Sequence, residues 1–248
     1  MQRWNGWGDE SIVYALGAEA LAFLGERLGP GTAIADASFE EACAQVPASR
    51  LAPHPLIDTT PAARVRHALG QSLPDWFKLR HGRIGAVPDG VAFPDSSLQV
   101  RQLLDYARQA CVAVIAHGGG TSVAGHLTVA PGPRPVLSIN LTHLCALGHL
   151  DREAQLATFG AGVYGPDLEA QLRAQGYTLG HYPQSFEYST LGGWIATRSS
   201  GQQSLRYGRI EQLFAGGVLE TPAGTLTIPT FPASAAGIDL REMVLGSE

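Results

Sequence analysis

Over the first eighty residues, apolar positions recur at helical spacing between turn formers. Tyr14, Leu21, Leu24 and Leu28 predict a helix over Glu10–Leu28, stopped by Gly29-Pro30-Gly31. A second, short helix is expected over Ala37–Val46. A third is expected over Thr60–Leu69, where Pro61 suits a first helical turn. The stretch from Pro47 to Pro61 is proline-rich and reads as a connector.

From about Gly85 the pattern changes to alternating strand and helix. Val87–Phe93 reads as a short strand. Asp95 or Ser96 is placed to cap a helix whose apolar face is Val100, Leu103, Leu104, Ala107 and Cys111. Val112–Ala116 is a continuous apolar run suited to a buried strand, and Val136–Leu141 follows as another. Leu144–Leu150 and Gln155–Gly160 read as two strands joined by a tight turn. Pro166 and Asp167 open a helix that Gly176 closes. A short strand is expected over Tyr177–Leu179 and a helix from Leu191 to Thr197. Leu213–Glu220 and Thr225–Ile228 form a hairpin around Thr221-Pro-Ala-Gly224. The expected division is a mostly helical segment over 1–84 and an α/β unit over 85–248.

Composition narrows the class. The chain has 248 residues, 45% of them hydrophobic and 16% charged, which excludes a disordered chain. A net charge of −5 without any Lys/Arg run gives no basic face for nucleic acid. Cys43, Cys111 and Cys145 are odd in number and widely spaced, which argues against a disulfide framework and for a reducing, cytoplasmic setting. The opening MQRWNGWGDE does not resemble a secretory leader, and no apolar run approaches the ~20 residues of a membrane span. The histidines lack HExxH or HxH spacing, so no metal site is expected.

Two segments carry the candidate chemistry. The first is Ala116-His117-Gly118-Gly119-Gly120-Thr121-Ser122, directly after the buried strand. Three glycines allow close approach of a ligand, their N–H groups can converge on an anion, and Thr121 and Ser122 add hydroxyls. Gly125, Pro131, Pro133 and Pro135 follow instead of a helix, and there is no Gly-Lys-Ser/Thr. Both the Rossmann loop and the Walker loop are therefore disfavoured. A plain turn between strands is the bland alternative.

The second segment runs from Gln184 through Ser185, Phe186, Glu187, Tyr188, Ser189 and Thr190 to Gly192, Gly193, Thr197, Arg198, Ser199 and Ser200. Paired glycines at a helix start cost roughly 1 kcal/mol each against alanine. Close approach of a flat ligand, or of another backbone, would offset that cost. Free N–H groups there could meet a second phosphate or a carbonyl oxygen.

Taken together, the strand–GGGTSV unit, Asp167–Gly176 and Phe186-Glu-Tyr-Ser-Thr-Leu-Gly-Gly-Trp194 resemble the vanillyl-alcohol-oxidase, PCMH-type FAD-binding superfamily. Within it the alkyldihydroxyacetonephosphate synthase family is most similar, through Arg3–Gly8, Thr197–Ser200 and the closing Leu245-Gly-Ser-Glu248. The resemblance implies an α+β fold of two small α/β subdomains that hold FAD between them, preceded by the helical segment. It implies non-covalent FAD, with Ala116–Ser122 on the pyrophosphate. Gln184–Thr190, Gly192, Gly193 and Thr197–Ser200 would contact the dinucleotide and isoalloxazine, and Glu248 would open a further contact.

The same resemblance implies ether-lipid chemistry, in which a fatty alcohol replaces an acyl chain. It also implies a small-molecule or lipid-like substrate, no nucleic acid, and a homodimer as an open expectation. The catalytic residues would lie in a substrate domain beyond Glu248, so the flavin domain is expected to be truncated at its C-terminal end and inactive alone. His117 and His126 are expected to be solvated loop residues, and Glu187 to cap or hydrogen-bond the helix start. Trp4 and Trp7 are expected to pack, and Tyr14, Tyr106 and Tyr164 to lie in the core or an interface. Two rivals remain: an FAD-linked D-2-hydroxy-acid dehydrogenase or oxidase, and a non-catalytic nucleotide- or phosphate-binding module.

Overall fold

The computed structural model describes residues 2–32, 35–231, 234–235 and 237–248. The N-terminal part contains α1 (Ala18–Leu28), α2 (Phe39–Ala44), β1 (Ile57–Asp58), α3 (Pro61–Arg66) and α4 (Leu73–Arg80). The centre contains β2 (Gly90–Ala92), α5 (Ser97–Gln109), β3 (Ala113–His117) and β4 (Val136–Asn140). Then come β5 (Leu147–Asp151), β6 (Leu156–Phe159), α6 (Gly165–Arg173) and α7 (Leu191–Ala196). The described chain ends with α8 (Ser204–Tyr207), α9 (Ile210–Leu213), β7 (Gly217–Thr221), β8 (Gly224–Ile228) and α10 (Arg241–Val244).

The central sheet has the order β1-β2-β4-β3, with β2, β4 and β3 parallel and β1 antiparallel at one edge. Helix α5 is the crossover, capped by Ser96. It buries Val100, Leu103, Leu104 and Ala107 against Ala92, Leu137 and Ile139 of the sheet. Two antiparallel hairpins, β5–β6 and β7–β8, complete the strand content. A second core gathers Val163, Leu168, Leu172, Trp194, Ile210 and Leu245 from α6, α7, α9 and the chain's last residues. A third core joins α2, α3 and α4 through Ala42, Val65, Leu69 and Leu79. Three cores thus correspond to a lead-in and two small α/β parts, as the α+β expectation requires.

The lead-in is stitched to the sheet. Its β1 pairs with β2, Arg64 Nε donates to Pro88 O at 2.6 Å, and Arg50 forks onto Asp89 at 2.8 and 2.7 Å.

Several expectations are corrected. The first helix begins at Ala18, not Glu10, and no residue of it is buried. Upstream, Ser11 folds its N–H and hydroxyl onto the Asp9 carboxylate, and Arg3 takes the Ile12 carbonyl. Those bonds hold residues 9–12 in a turn. Tyr14 is accordingly exposed and lies in no core. Cys111 is off the α5 face: the helix ends at Gln109, and Cys111 is exposed with a φ of 53°. Tyr177–Leu179 is not a strand. The buried Glu169 carboxylate takes the N–H groups of Leu179 and Gly180, at 3.1 and 3.0 Å, that a ladder would need. The missed α4 carries a local signal, Ser72 and Asp75 forming a capping box with Pro74 in the first turn.

Candidate functional site

The site begins where β3 ends. His117 closes the strand and Gly118–Ser122 turns out of the sheet. The glycines are required by contact. A Cβ at Gly119 would sit 1.7 Å from Tyr188 O, and one at Gly118 2.3 Å from Thr190 Oγ1. The loop therefore lies directly on the second sequence-predicted segment. Its far end is fastened too, as Gln71 N–H donates to Ser122 O at 2.6 Å. None of the backbone N–H groups of Gly118 to Ser122 donates to a described residue. Five successive unspent donors on a glycine-rich turn fit a pyrophosphate, which offers only acceptors.

Behind the loop lies a buried polar cluster. His67 Nδ1–H donates to Ala63 O at 2.7 Å, so its Nε2 accepts from Asn140 Nδ2 at 2.8 Å. His117 Nδ1–H donates to Gly118 O at 2.8 Å, leaving Nε2 a bare lone pair without a partner among the described residues. The two rings are 4.5 Å apart. Burial, and then neighbouring His67, push the His117 pKa down to about 3. Burial also lowers His67. A cavity of about 180 Å³ opens here, lined by His67, His117, Gly118–Gly120, Asn140 and Tyr164 among others. The expectation of a solvated His117 is thus corrected: α3 and β4 cover it.

The second wall is the turn into α7. Leu191 N–H donates to Val163 O at 3.0 Å and Gly192 N–H to Ala161 O at 2.7 Å. A Cβ at Gly192 would lie 2.9 Å from Ala161 O. Of the two partners left open for Gly192, the close approach is thus by another backbone, and its N–H is not available to a second phosphate. Gly193 N–H donates to no described residue. Trp194 is buried, donates to Ser189 Oγ at 2.7 Å, and stacks on Phe186.

Glu187 is exposed and caps nothing, which corrects its expected role. Two of the helix-start donors, on Leu191 and Gly192, are already taken by the Val163 and Ala161 carbonyls. Thr197 and Ser200 are exposed, as is Gln184. Ser199 Oγ meets buried His181 Nε2 at 2.8 Å. Arg198, with a φ of 52°, pairs its guanidinium with Glu211 at 2.9 Å and with Glu242.

The last residues return to the loop. Gly246 and Glu248 donate backbone N–H groups to Ile195 O and Ala196 O, each at 3.2 Å. Glu248 Oε2 lies 3.6 Å from His126 Nδ1, which is 3.0 Å from Ser122 Oγ. His126 is exposed as expected, but it is engaged between the loop and Glu248. Trp4 packs on Phe39 and Trp7 on Tyr188, the latter partly exposed. The site roles of His67, Gln71 and Asn140 are marked by no local motif, and Tyr164, expected in the core or an interface, lines the cavity. Among the described residues no group of His, Cys, Asp or Glu could hold a metal ion.

Comparison with known proteins decides the family, because the FAD binding domain matches residues 88–228, more than half of the chain. The chain belongs to the FAD binding domain family. It is 40% identical over 186 residues to alkyldihydroxyacetonephosphate synthase of Dictyostelium discoideum, covering 75% of the chain and 30% of that protein. A solved structure of alkyldihydroxyacetonephosphate synthase superposes with a TM-score of 0.85 at 30% identity, covering 99% of the chain and 51% of that structure. Similarity to a mitochondrial D-lactate dehydrogenase of Arabidopsis thaliana is weaker, 29% over 65% of the chain and 28% of that protein. The chain thus spans 30–51% of the length of these synthase relatives. Among the described residues no helix is long and apolar enough to cross a membrane.

Proposed function

We propose that the chain is the FAD-holding part of an enzyme of the alkyldihydroxyacetonephosphate synthase kind, which exchanges an acyl chain for a fatty alcohol on a lipid-like substrate. The observation that carries the reading is the glycine turn with five unspent N–H groups, seated on Tyr188–Thr190. In this proposal Gly118–Ser122 holds the pyrophosphate, while Gln184–Thr190 and Thr197–Ser200 flank the rest of the dinucleotide. Glu248 braces the loop through His126. Bound FAD would supply the electron-accepting and adduct-forming chemistry, and the protein would hold and orient it.

Binding is proposed to be non-covalent, since His117 Nδ1 is committed to Gly118 O and His126 is engaged by Ser122 and Glu248. The division at 84/85 is proposed as a lead-in plus a flavin unit, consistent with the separate core of α2–α4. A homodimer and a cytoplasmic setting are further parts of the proposal, the latter supported by three free cysteines.

The test uses the full-length protein. It should purify with, or take up, FAD and exchange a radiolabelled fatty alcohol into acyl-dihydroxyacetone phosphate. Anaerobic bleaching of the flavin by D-lactate or glycolate, without exchange, would replace this reading by a D-2-hydroxy-acid dehydrogenase. A protein that neither carries nor binds flavin would sink both.

A further inference from the structure

We propose that His117 Nε2 accepts a hydrogen bond from a hydroxyl group of the bound dinucleotide, so that a side chain behind the phosphate turn helps to position the cofactor. The proposal rests on the reading of Gly118–Ser122 as the dinucleotide loop. Its starting point is a buried nitrogen with an unmet need. His117 Nδ1–H is committed to Gly118 O, which fixes the tautomer and leaves Nε2 with a lone pair only. An orphaned buried polar atom is costly, and native structures usually resolve it with a ligand or a water.

Gly120 packs against the Nε2 edge of the ring. The position a Cβ would occupy at Gly120 is 3.1 Å from both His117 Cε1 and Nε2. Any side chain there would press on the bare nitrogen, so only glycine is compatible with this edge of the ring. The His117 ring lines the cavity of about 180 Å³ together with Gly118, Gly119, Asn140 and Tyr164, and Nε2 lies just beneath its surface. At roughly 30 Å³ per water, that space admits a few waters or a short stretch of polyol.

Chemistry then selects the partner. A pyrophosphate has no proton to give, and a lone pair facing it would be repelled. His67 offers no donor either, because its one N–H is used on Ala63 O. Asn140 Nδ2, 3.4 Å from His117 Nδ1, meets a nitrogen that already bears a proton. A neutral acceptor beside a phosphate turn therefore calls for a neutral donor, and the hydroxyls next to the pyrophosphate of a dinucleotide are such donors.

The variants separate the two ring nitrogens. His117→Asn can keep an N–H near Nδ1, toward Gly118 O, and removes the Nε2 acceptor. His117→Gln places an amide at the reach of Nε2. With the full-length apoprotein and FAD as the probe, His117→Asn should raise the Kd about tenfold, and His117→Gln should stay within about threefold of the parent. In the parent, the pyridine-type ¹⁵N signal of His117 should move upfield when FAD is added. Equal Kd values for the parent and His117→Asn, or an unmoved ¹⁵N signal, overturn the proposal. A loss of stability in His117→Asn without change in FAD affinity would mean a structural water at Nε2 and would overturn it as well. If His117→Asn does not fold, the ¹⁵N measurement on the parent decides alone. Failure of the parent to bind FAD brings down the functional reading itself, an outcome distinct from all of these.

Discussion

His67, His117 and His181 are buried, and burial lowers the pKa of each from the ordinary 6.5. The unfolded chain protonates these rings below about pH 6.5, whereas the folded chain keeps them neutral to lower pH. Between those limits the unfolded state binds more protons, so stability falls as pH falls. Above about pH 6.5 the contribution is fully present. For His117, held neutral down to about pH 3, the loss is about 1.4 kcal/mol for each pH unit below 6.5. Urea unfolding of the FAD-free protein at pH 7, 6 and 5 should show this decline, and His117→Asn should flatten it by about that amount per unit. An unchanged slope would mean that His117 does not stay neutral in the fold. The glycines before Ser122 could be recognised in the sequence because their permissiveness is intrinsic to the residue. The burial of His117 could not, because it depends on His67 and Asn140, which only the folded chain brings up behind the loop.

Helices α1 and α5 illustrate the same point for whole elements. Both carry apolar residues at helical spacing, and the sequence predicts both. Helix α5 buries Leu103 completely between the sheet strands and its own neighbours, while Leu21 of α1 is 55% exposed. Periodicity reports that a face exists and says nothing about what covers it. The start at Ser96 is legible because a side-chain oxygen three residues before a backbone donor is a local device, and the start of α3 because Pro61 suits a first helical turn; the Thr60 cap itself was not foreseen. The two-residue strand β1 was not, since its place beside β2 depends on a distant partner. Leu103→Ala should cost about 2–5 kcal/mol by removing packed volume. Leu21→Ala should change stability by less than about 0.5 kcal/mol. Chemical denaturation of the two variants checks the contrast, and a similar loss in both would show that α1 is covered in solution.

At the scale of the molecule, the proposed cofactor contacts come from two halves with separate cores. The turn at Gly118–Ser122 belongs to the β2–β4 sheet, and Tyr188–Ser200 belongs to the core around Trp194. They already touch where Gly119 meets Tyr188 and where Glu248 reaches His126. A ligand bound across that contact adds its binding free energy to both halves at once, about 2.7 kcal/mol when free FAD is a hundred times its Kd. Amide hydrogen exchange on the full-length protein resolves where the gain falls. Without FAD, the amides of Gly118 to Ser122 have no acceptor among the described residues and should exchange rapidly. With FAD they should slow together, because the pyrophosphate oxygens take them up. The amides of Leu191 and Gly192, already bonded to Val163 and Ala161, should slow only by the stability gained overall. If FAD binds while residues 118–122 exchange as before, the cofactor lies elsewhere on the surface and the assignment of the glycine turn fails. If the two halves gain protection by different amounts, they open independently and the ligand grips only one of them.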